Sequence, residues 1–273
     1  MMRSLYSAIS GLKNHQIKMD VIGNNIANVN TTGFKRSRVN FATALSQSMK
    51  GASAPDTAAT PLIGGTNPMQ VGLGASLGSI DQIMTQGSSQ TTGNPTDMMI
   101  QGPGFFALQT NAGDTVYTRS GAFSFDGDGT LVDPASGAKV LDLTPGAITI
   151  TPNTYSNINI DQTGAITGTD SAGVLQTLGH IQIATFANPA GLTSIGGNFY
   201  TVSNNSGLAA PYGDTTPYPS GTSLVSGSLE MSNVDLSQEM TDMITAQRGF
   251  QANSRVITVS DTLLQELIDL KRN

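Results

Sequence analysis

The stretch Asp235-Leu-Ser-Gln-Glu-Met240-Thr-Asp-Met243-Ile-Thr-Ala-Gln247-Arg-Gly-Phe250-Gln-Ala-Asn-Ser254-Arg-Val-Ile257-Thr-Val-Ser-Asp261-Thr-Leu-Leu264-Gln-Glu-Leu-Ile268 decides the fold. Leu236, Met240, Met243, Phe250, Ile257, Leu264 and Ile268 recur in near-heptad steps, with Gln247, Ser254 and Asp261 where the stripe is interrupted. That spacing predicts one long helix with a narrow apolar seam. Asp235 stands at the N-cap position and Gln238 follows three residues on, the pattern of a capping box. About 36 residues of helix span roughly 54 Å, far beyond the helix length usual in a compact domain. A small β core cannot cover such a rod, so it needs another helix beside it.

The partner is at the other end of the chain. Leu5, Ile9, Leu12, Met19 and Ile26 step by threes, fours and sevens, with Ala8 and Ile22 flanking them and Gln16 and Gly23 filling the gaps. This helix should stop near Asn28–Gly33, where Asn, Thr and Gly accumulate. The two ends are expected to pair as a coiled coil, antiparallel or obliquely crossed. Two unrelated surface helices packed on a sheet are the alternative.

Between them the periodicity changes. Residues 46–95 are dense in Gly, Ser, Thr and Pro and read as an extended connection. From 96 to 229, short runs such as Met99–Leu108, Val116–Arg119 and Gly179–Ala187 alternate with turns such as Asp126–Gly129 and Asp161–Gly164. No helical period intervenes, which excludes a βαβ architecture. The expected fold is α+β. Terminal helical segments 1–45 and 230–273 pair, 46–95 link, and 96–229 form one all-β domain.

Composition supports this. The 273 residues include 31 glycines, no Trp and only 12% charged residues, which suits turn-rich β structure better than a helix-rich enzyme. With no Cys, a disulfide framework, a thiolate metal site and a cysteine nucleophile are all excluded. The net charge of −6 argues against nucleic acid as a main partner. Within residues 1–50, Arg3, Lys13, Lys18, Lys35, Arg36, Arg38 and Lys50 face Asp20 alone, whereas 51–233 hold only Arg119 and Lys139 against twelve acids. This asymmetry favours setting the N-terminal segment against acidic surface, its own or a neighbour's. Polar residues interrupt the start, MMRSLYSAISGLK, so no signal-peptide core is expected there. No run approaches the ~18 apolar residues of a membrane span, and membrane insertion is not expected.

The sharpest enzymatic pattern is Asp126-Gly-Asp128-Gly-Thr-Leu131, which fits the paired-aspartate signature of phosphohydrolases that hold Mg²⁺ and a phosphate. That chemistry also requires a Ser or Thr, a Lys and further acids on βα units, which are missing here. A tight turn asks for the same Asp and Gly residues, so the turn is the expectation and no catalytic residue, metal or cofactor is assigned. His15 is read as solvated on the polar side of the first helix and His180 as a surface or turn residue. Lys35-Arg36-Ser-Arg38 is read as a solvated turn.

The segment Met19-Asp-Val-Ile-Gly-Asn-Asn-Ile-Ala-Asn-Val-Asn-Thr-Thr-Gly-Phe-Lys35 closely resembles the N-terminal signature of the flagellar rod and hook proteins. Ile100-Gln-Gly-Pro-Gly-Phe-Phe-Ala107 followed by Tyr117-Thr-Arg-Ser-Gly-Ala-Phe123 is similar to the start of their β domain. Gly227-Ser-Leu-Glu-Met-Ser-Asn-Val-Asp-Leu236 through Ala246-Gln-Arg-Gly-Phe-Gln-Ala-Asn-Ser-Arg255 is similar to their C-terminal helix signature. Length and the closing Leu264–Arg272 look most like short hook proteins of Gram-positive bacteria, with the distal rod protein as the alternative.

The resemblance implies a homopolymer, a hollow helical tube that transmits torque in motility, with the terminal helices lining the bore. It implies adjacent axial proteins (rod, hook cap, hook–filament junction) as partners. It also implies export through the flagellar type III apparatus without a cleaved signal. The residues expected to carry self-assembly are Leu5, Ile9, Leu12, Met19 and Ile26 with Leu236, Met240, Met243, Phe250, Ile257 and Leu264.

Overall fold

The computed structural model describes residues 2–55, 64–143, 146–151, 154–170, 173–212 and 221–272. The chain divides into two compact units. One gathers Met1–Ile26, Ser37–Asp81 and Leu236–Asn273; the other gathers Ala27–Arg36 and Gln82–Asp235.

The first unit holds both long helices, α1 (Met2–Ala27) and α2 (Leu236–Arg272). α1 ends as it meets Asn28 and the run of Asn and Thr that follows, residues whose side chains compete for backbone bonds. The unit also holds a two-stranded ribbon. Strand β1 (Ser37–Thr43) pairs with β4 (Ala75–Gln82), and β2 (Ser46–Lys50) pairs antiparallel with β3 (Met69–Gly72). A bridge between Ser53 and Thr66 continues the ladder. The stretch read as an irregular connection from 46 to 95 therefore carries regular pairing. Its Gly and Ser hid the strands, because the ribbon has no buried face to impose alternation: Leu45 is 84% exposed, Met49 65% and Met69 58%.

The second unit is built of strands. In chain order they are β5 (Ser89–Thr91), β6 (Met98–Gln101), β7 (Phe105–Gln109), β8 (Thr115–Thr118), β9 (Ser124–Phe125), β10 (Leu131–Val132), β11 (Lys139–Val140), β12 (Tyr155–Ile160), β13 (Ala165–Asp170) and β14 (Leu175–His180). They continue with β15 (Ile183–Thr185), β16 (Thr193–Gly196), β17 (Phe199–Thr201), β18 (Ala210–Tyr212), β19 (Ser223–Ser226) and β20 (Ser228–Glu230). The main sheet runs β16-β17-β8-β7-β11-β10-β9, with β15 bonded to β7 and β18 to β15. A three-stranded sheet β12-β13-β14 and the pairs β6–β19 and β5–β20 complete the unit.

Phe105-Phe-Ala-Leu108 is buried on both faces, as a continuous apolar run requires. Phe106 and Leu108 join Ile100, Val116, Leu131, Val140, Ile166 and Ile183 in one core. Phe105 and Ala107 join Tyr117, Leu192 and Tyr200 in the other. The run expected as one strand from Met99 to Leu108 is two. Gly102 and Gly104 adopt φ +102° and +149°, a backbone that breaks the strand and turns carbonyls inward.

Those carbonyls meet a buried ion cluster. Glu230, at the end of β20, accepts from Lys35 Nζ at 2.6 Å on one oxygen and from Arg119 Nε at 2.6 Å on the other. The Gly87 amide adds a third bond at 2.9 Å. Arg119 also donates to the carbonyls of Ile100, Gly102 and Gly104, and Lys35 to that of Thr85. Lys35, expected on a solvated turn, is 2% exposed. Sequence could not show this, because its partner lies 195 residues away. Burial works to raise the Glu230 pKa, but the charges of Arg119 and Lys35 and the bonds from Lys35 and Gly87 overcome it and hold the carboxyl low. Burial lowers the Lys35 pKa, and Arg119 adds to that, against the pull of Glu230. One anion shared between two cations leaves the ammonium as the less stabilised member.

Burial pushes the Tyr200 hydroxyl up to about 12 and raises Tyr117 in the same direction. The folded unit therefore holds a proton that the unfolded chain releases near pH 10. Stability from this source is intact below pH 10 and should fall between 10 and about 12, by about 1.4 kcal/mol per pH unit. Denaturant melts at stepped pH should show at least this slope, and Tyr200→Phe should reduce it, leaving the smaller share of Tyr117.

Candidate assembly surface

The two helices run antiparallel, and their contacts fall on a single register. The Asn25 amide donates to Glu239 Oε2 at 3.1 Å. Lys18 reaches Asp242 at 3.6 Å. A Cβ placed on Gly249 would lie 2.5 Å from the His15 ring, and one on Gly11 would lie 2.6 Å from the Asn253 amide. The residues in contact, Gly11, His15, Lys18 and Asn25 on α1 and Glu239, Asp242, Gly249 and Asn253 on α2, fall on heptad positions shared with the buried Ala8, Ile22, Ala246 and Ser260. Ala8, Ile22, Asn25, Glu239, Ala246 and Ser260 are buried. Each helical glycine costs about 1 kcal/mol relative to Ala, and the return is close approach of the two helices.

This seam lies one residue before the bulky stripe on both helices, a rotation of roughly 100°. Ile9, Leu236, Met240 and Leu264 are consequently exposed, whereas Leu5, Leu12, Met19, Ile26, Met243, Phe250 and Ile257 are half-buried on the flanks. Tyr6, Ile244, Val259, Leu267 and Ile268 are also exposed, each by more than half. Apolar periodicity picked out the larger side chains and passed over the small and polar heptad beside them. That heptad was visible in Ala8, Gly11, Ala246 and Gly249 but carries no hydrophobic signal.

His15, read as solvated, sits in the seam against Gly249, with its ring edge-on to Phe41 at a centroid distance of 6.4 Å. Among the described residues, His15 Nδ1 and Asn14 Nδ2 are buried without a hydrogen-bond partner. A seam this polar is weak for its length.

Asn25 does more than bridge the helices. Its side chain accepts from the Ser37 amide at 3.0 Å and donates to the Ser37 carbonyl at 2.9 Å, pinning the start of β1. Asn25→Ala should destabilise the helical unit by about 1–3 kcal/mol, since Glu239 and the Ser37 backbone lose buried partners. Helical circular dichroism during urea titration would measure it.

The Asp126–Asp128 pattern is a hairpin turn between β9 and β10. The Asp126 amide donates to the Thr130 carbonyl at 2.9 Å, and the Gly129 amide returns to the Asp126 carbonyl at 2.8 Å. Both carboxylates are exposed. Among the described residues, no three His, Asp or Glu side chains gather where they could hold a metal ion. Nor is any helix long and apolar enough to cross a membrane.

Comparison with known proteins matches these elements one by one. The model for flagella basal body rod proteins fits residues 5–35. That of the flagellar hook protein FlgE/F/G D1 domain fits 99–168, and that of the flagellar basal body rod FlgEFG protein C-terminal region fits 225–270. The flagellar basal-body rod protein FlgG of Bacillus subtilis is 51% identical over 273 residues, covering the whole of both chains. The chain belongs to the FlgE/F/G family of flagellar rod and hook proteins.

FlgG of Agrobacterium fabrum is 39% identical over 263 residues, 96% of this chain and 97% of that one. The flagellar hook protein FlgE of Treponema pallidum is 29% identical over 470 aligned positions, covering all of both chains. As a member of the FlgE/F/G family, the protein is a structural component of the flagellar axis and not an enzyme. The phosphohydrolase alternative is thereby set aside. The three matched segments correspond to α1 with the turn after it, the β-unit around β6–β13, and the end of β19 through α2.

Proposed function

We propose that the chain is a subunit of the distal rod of the flagellar basal body, polymerising through its terminal helices paired as a coiled coil. One observation carries the choice of rod over hook. A relative that aligns over 273 positions at 51% identity is named a rod protein, whereas the hook relatives align at 29% and 31% over 470 and 448 positions, far more than this chain has. The reading as a short hook protein, drawn from length and the closing Leu264–Arg272, gives way to its alternative. Length was a poor guide, because rod and short hook proteins share it.

The surface supports polymerisation. The polar seam leaves Ile9, Leu236, Met240 and Leu264 facing outward, and the half-buried Leu5, Leu12, Met19, Ile26, Met243, Phe250 and Ile257 beside them. Leu45, Met49, Met69 and Val71 on the ribbon are exposed as well. A two-stranded ribbon is marginal alone, and apolar surface this extensive on one chain marks an interaction site. A second copy meets it head to tail, a contact that does not close and so builds a helical tube. In this reading the subunit leaves by the type III apparatus without a cleaved signal, and its neighbours at either end of the stack are other axial proteins.

Immunogold electron microscopy on purified hook–basal bodies tests the assignment. Gold on the straight segment below the hook supports the rod; gold along the curved hook overturns it.

A further inference from the structure

Three segments distant in the chain each send one charged side chain to the same buried point: Lys35, Arg119 and Glu230. We propose that this triad is a folding interlock, so that the β-unit closes only when Glu230 has joined Lys35 and Arg119, and its two ends and its middle fold in one step. The inference does not depend on the place of the subunit in the flagellum.

The side chains of Lys35, Arg119 and Glu230 are 1%, 6% and 0% exposed. Each carboxylate oxygen serves one cation, and among the described residues neither Lys35 nor Arg119 pairs with another carboxylate. Without Glu230 the site would bury two like charges that repel each other and cannot reach water. Removing one partner of a buried pair is strongly unfavourable for that reason. Arg119 directly follows β8, the strand between β7 and β17, and it binds the Gly102 and Gly104 carbonyls in the break just before β7. The centre of the main sheet is thus tied to a residue near the C-terminal end of the unit.

The backbone reinforces the tie. The Gly33 amide donates to the Glu230 carbonyl at 2.8 Å, and the Met231 amide to that of Ser88 at 2.9 Å. A Cβ at Gly33, where φ is +69°, would lie 2.5 Å from the Ser120 amide, so the turn before Lys35 packs directly on the residue after Arg119. Each of the three family-matched segments supplies one member of the triad. An ordinary stabilising ion cluster would let β7 and β8 pair first and dock the ends afterwards. An interlock forbids that order.

Pulsed hydrogen exchange on the refolding full-length chain separates the two. The Leu108 and Val116 amides, paired across β7 and β8, should gain protection in the same kinetic phase as Gly33, Gly87 and Met231. Protection of Leu108 and Val116 in an earlier phase would overturn the interlock. At equilibrium, Glu230→Gln keeps the shape and removes the charge. Leu108 protection should then fall roughly 100- to 1000-fold together with that of Gly33, and unchanged Leu108 protection would also overturn it. Because that variant can fail to fold outright, Lys35→Met supplies a milder case with a neutral Arg119–Glu230 pair. Leu108 and Met231 should still gain protection together while Gly33 lags; Gly33 keeping pace would remove Lys35 from the device.

Discussion

A chain carrying Ile9→Asp or Leu264→Asp should remain folded as a monomer and fail to form filaments. Both side chains are exposed in the single chain, at 44% and 37%, so a carboxylate there meets water and costs the monomer little. In the proposed polymer the same position is covered. Each variant then loses the burial of a large apolar side chain, about 1.5–3 kcal/mol, and must also desolvate a carboxylate. A loss of 3 kcal/mol at each contact raises the concentration needed for assembly by more than about 100-fold. Sedimentation and negative-stain microscopy would measure that threshold, with helical circular dichroism showing that the monomer is intact. Filaments at the wild-type threshold from either variant would remove these residues from the interface.

Gly249→Leu should separate the helices within the chain. The position faces the His15 ring, which already stands where a Cβ would go. A leucine must push α1 away or displace the imidazole, and overpacking of this kind costs about 1–3 kcal/mol. In a seam where Ile22 is the one large buried apolar side chain beside Ala8, Gly11, Asn25, Glu239, Ala246, Asn253 and Ser260, little apolar burial is available to offset it. Limited proteolysis should then cut within α1 and α2 while the β-unit resists. His15→Ala opens the space that leucine needs and should restore much of the protection. If Gly249→Leu alone leaves both helices as resistant as the wild type, the contact is not holding the pair. Gly249→Ala would be less informative, since gained helix propensity of about 1 kcal/mol works against the clash.

What the sequence showed of this architecture followed the strength of each local signal. The two helices were legible from Leu5 to Ile26 and from Leu236 to Ile268 because their apolar period extends over many turns. The β-unit was legible from Phe105-Phe-Ala-Leu108 and from turns such as Asp126–Gly129. The ribbon was not, because strands exposed on both faces carry no alternation. The seam was misplaced by one residue on each helix, since Gly11, His15, Gly249 and Asn253 pair through small size and polar contact. Lys35, Arg119 and Glu230 gave no hint of one another, because a buried ion cluster is defined only by the fold that assembles it.

The chain contains no native cysteine, so single cysteines can report each helix face cleanly. Maleimide labelling of Ile9→Cys, Met240→Cys, Leu264→Cys and Ala246→Cys, compared between monomer and filament, is the most direct test of two separate helix faces. Fast labelling of the first three in the monomer and protection in the filament, with Ala246→Cys protected in both, is the predicted result. Equal labelling of Ile9→Cys, Met240→Cys and Leu264→Cys in both states, or Ala246→Cys open in the monomer and closed only in the filament, would contradict it.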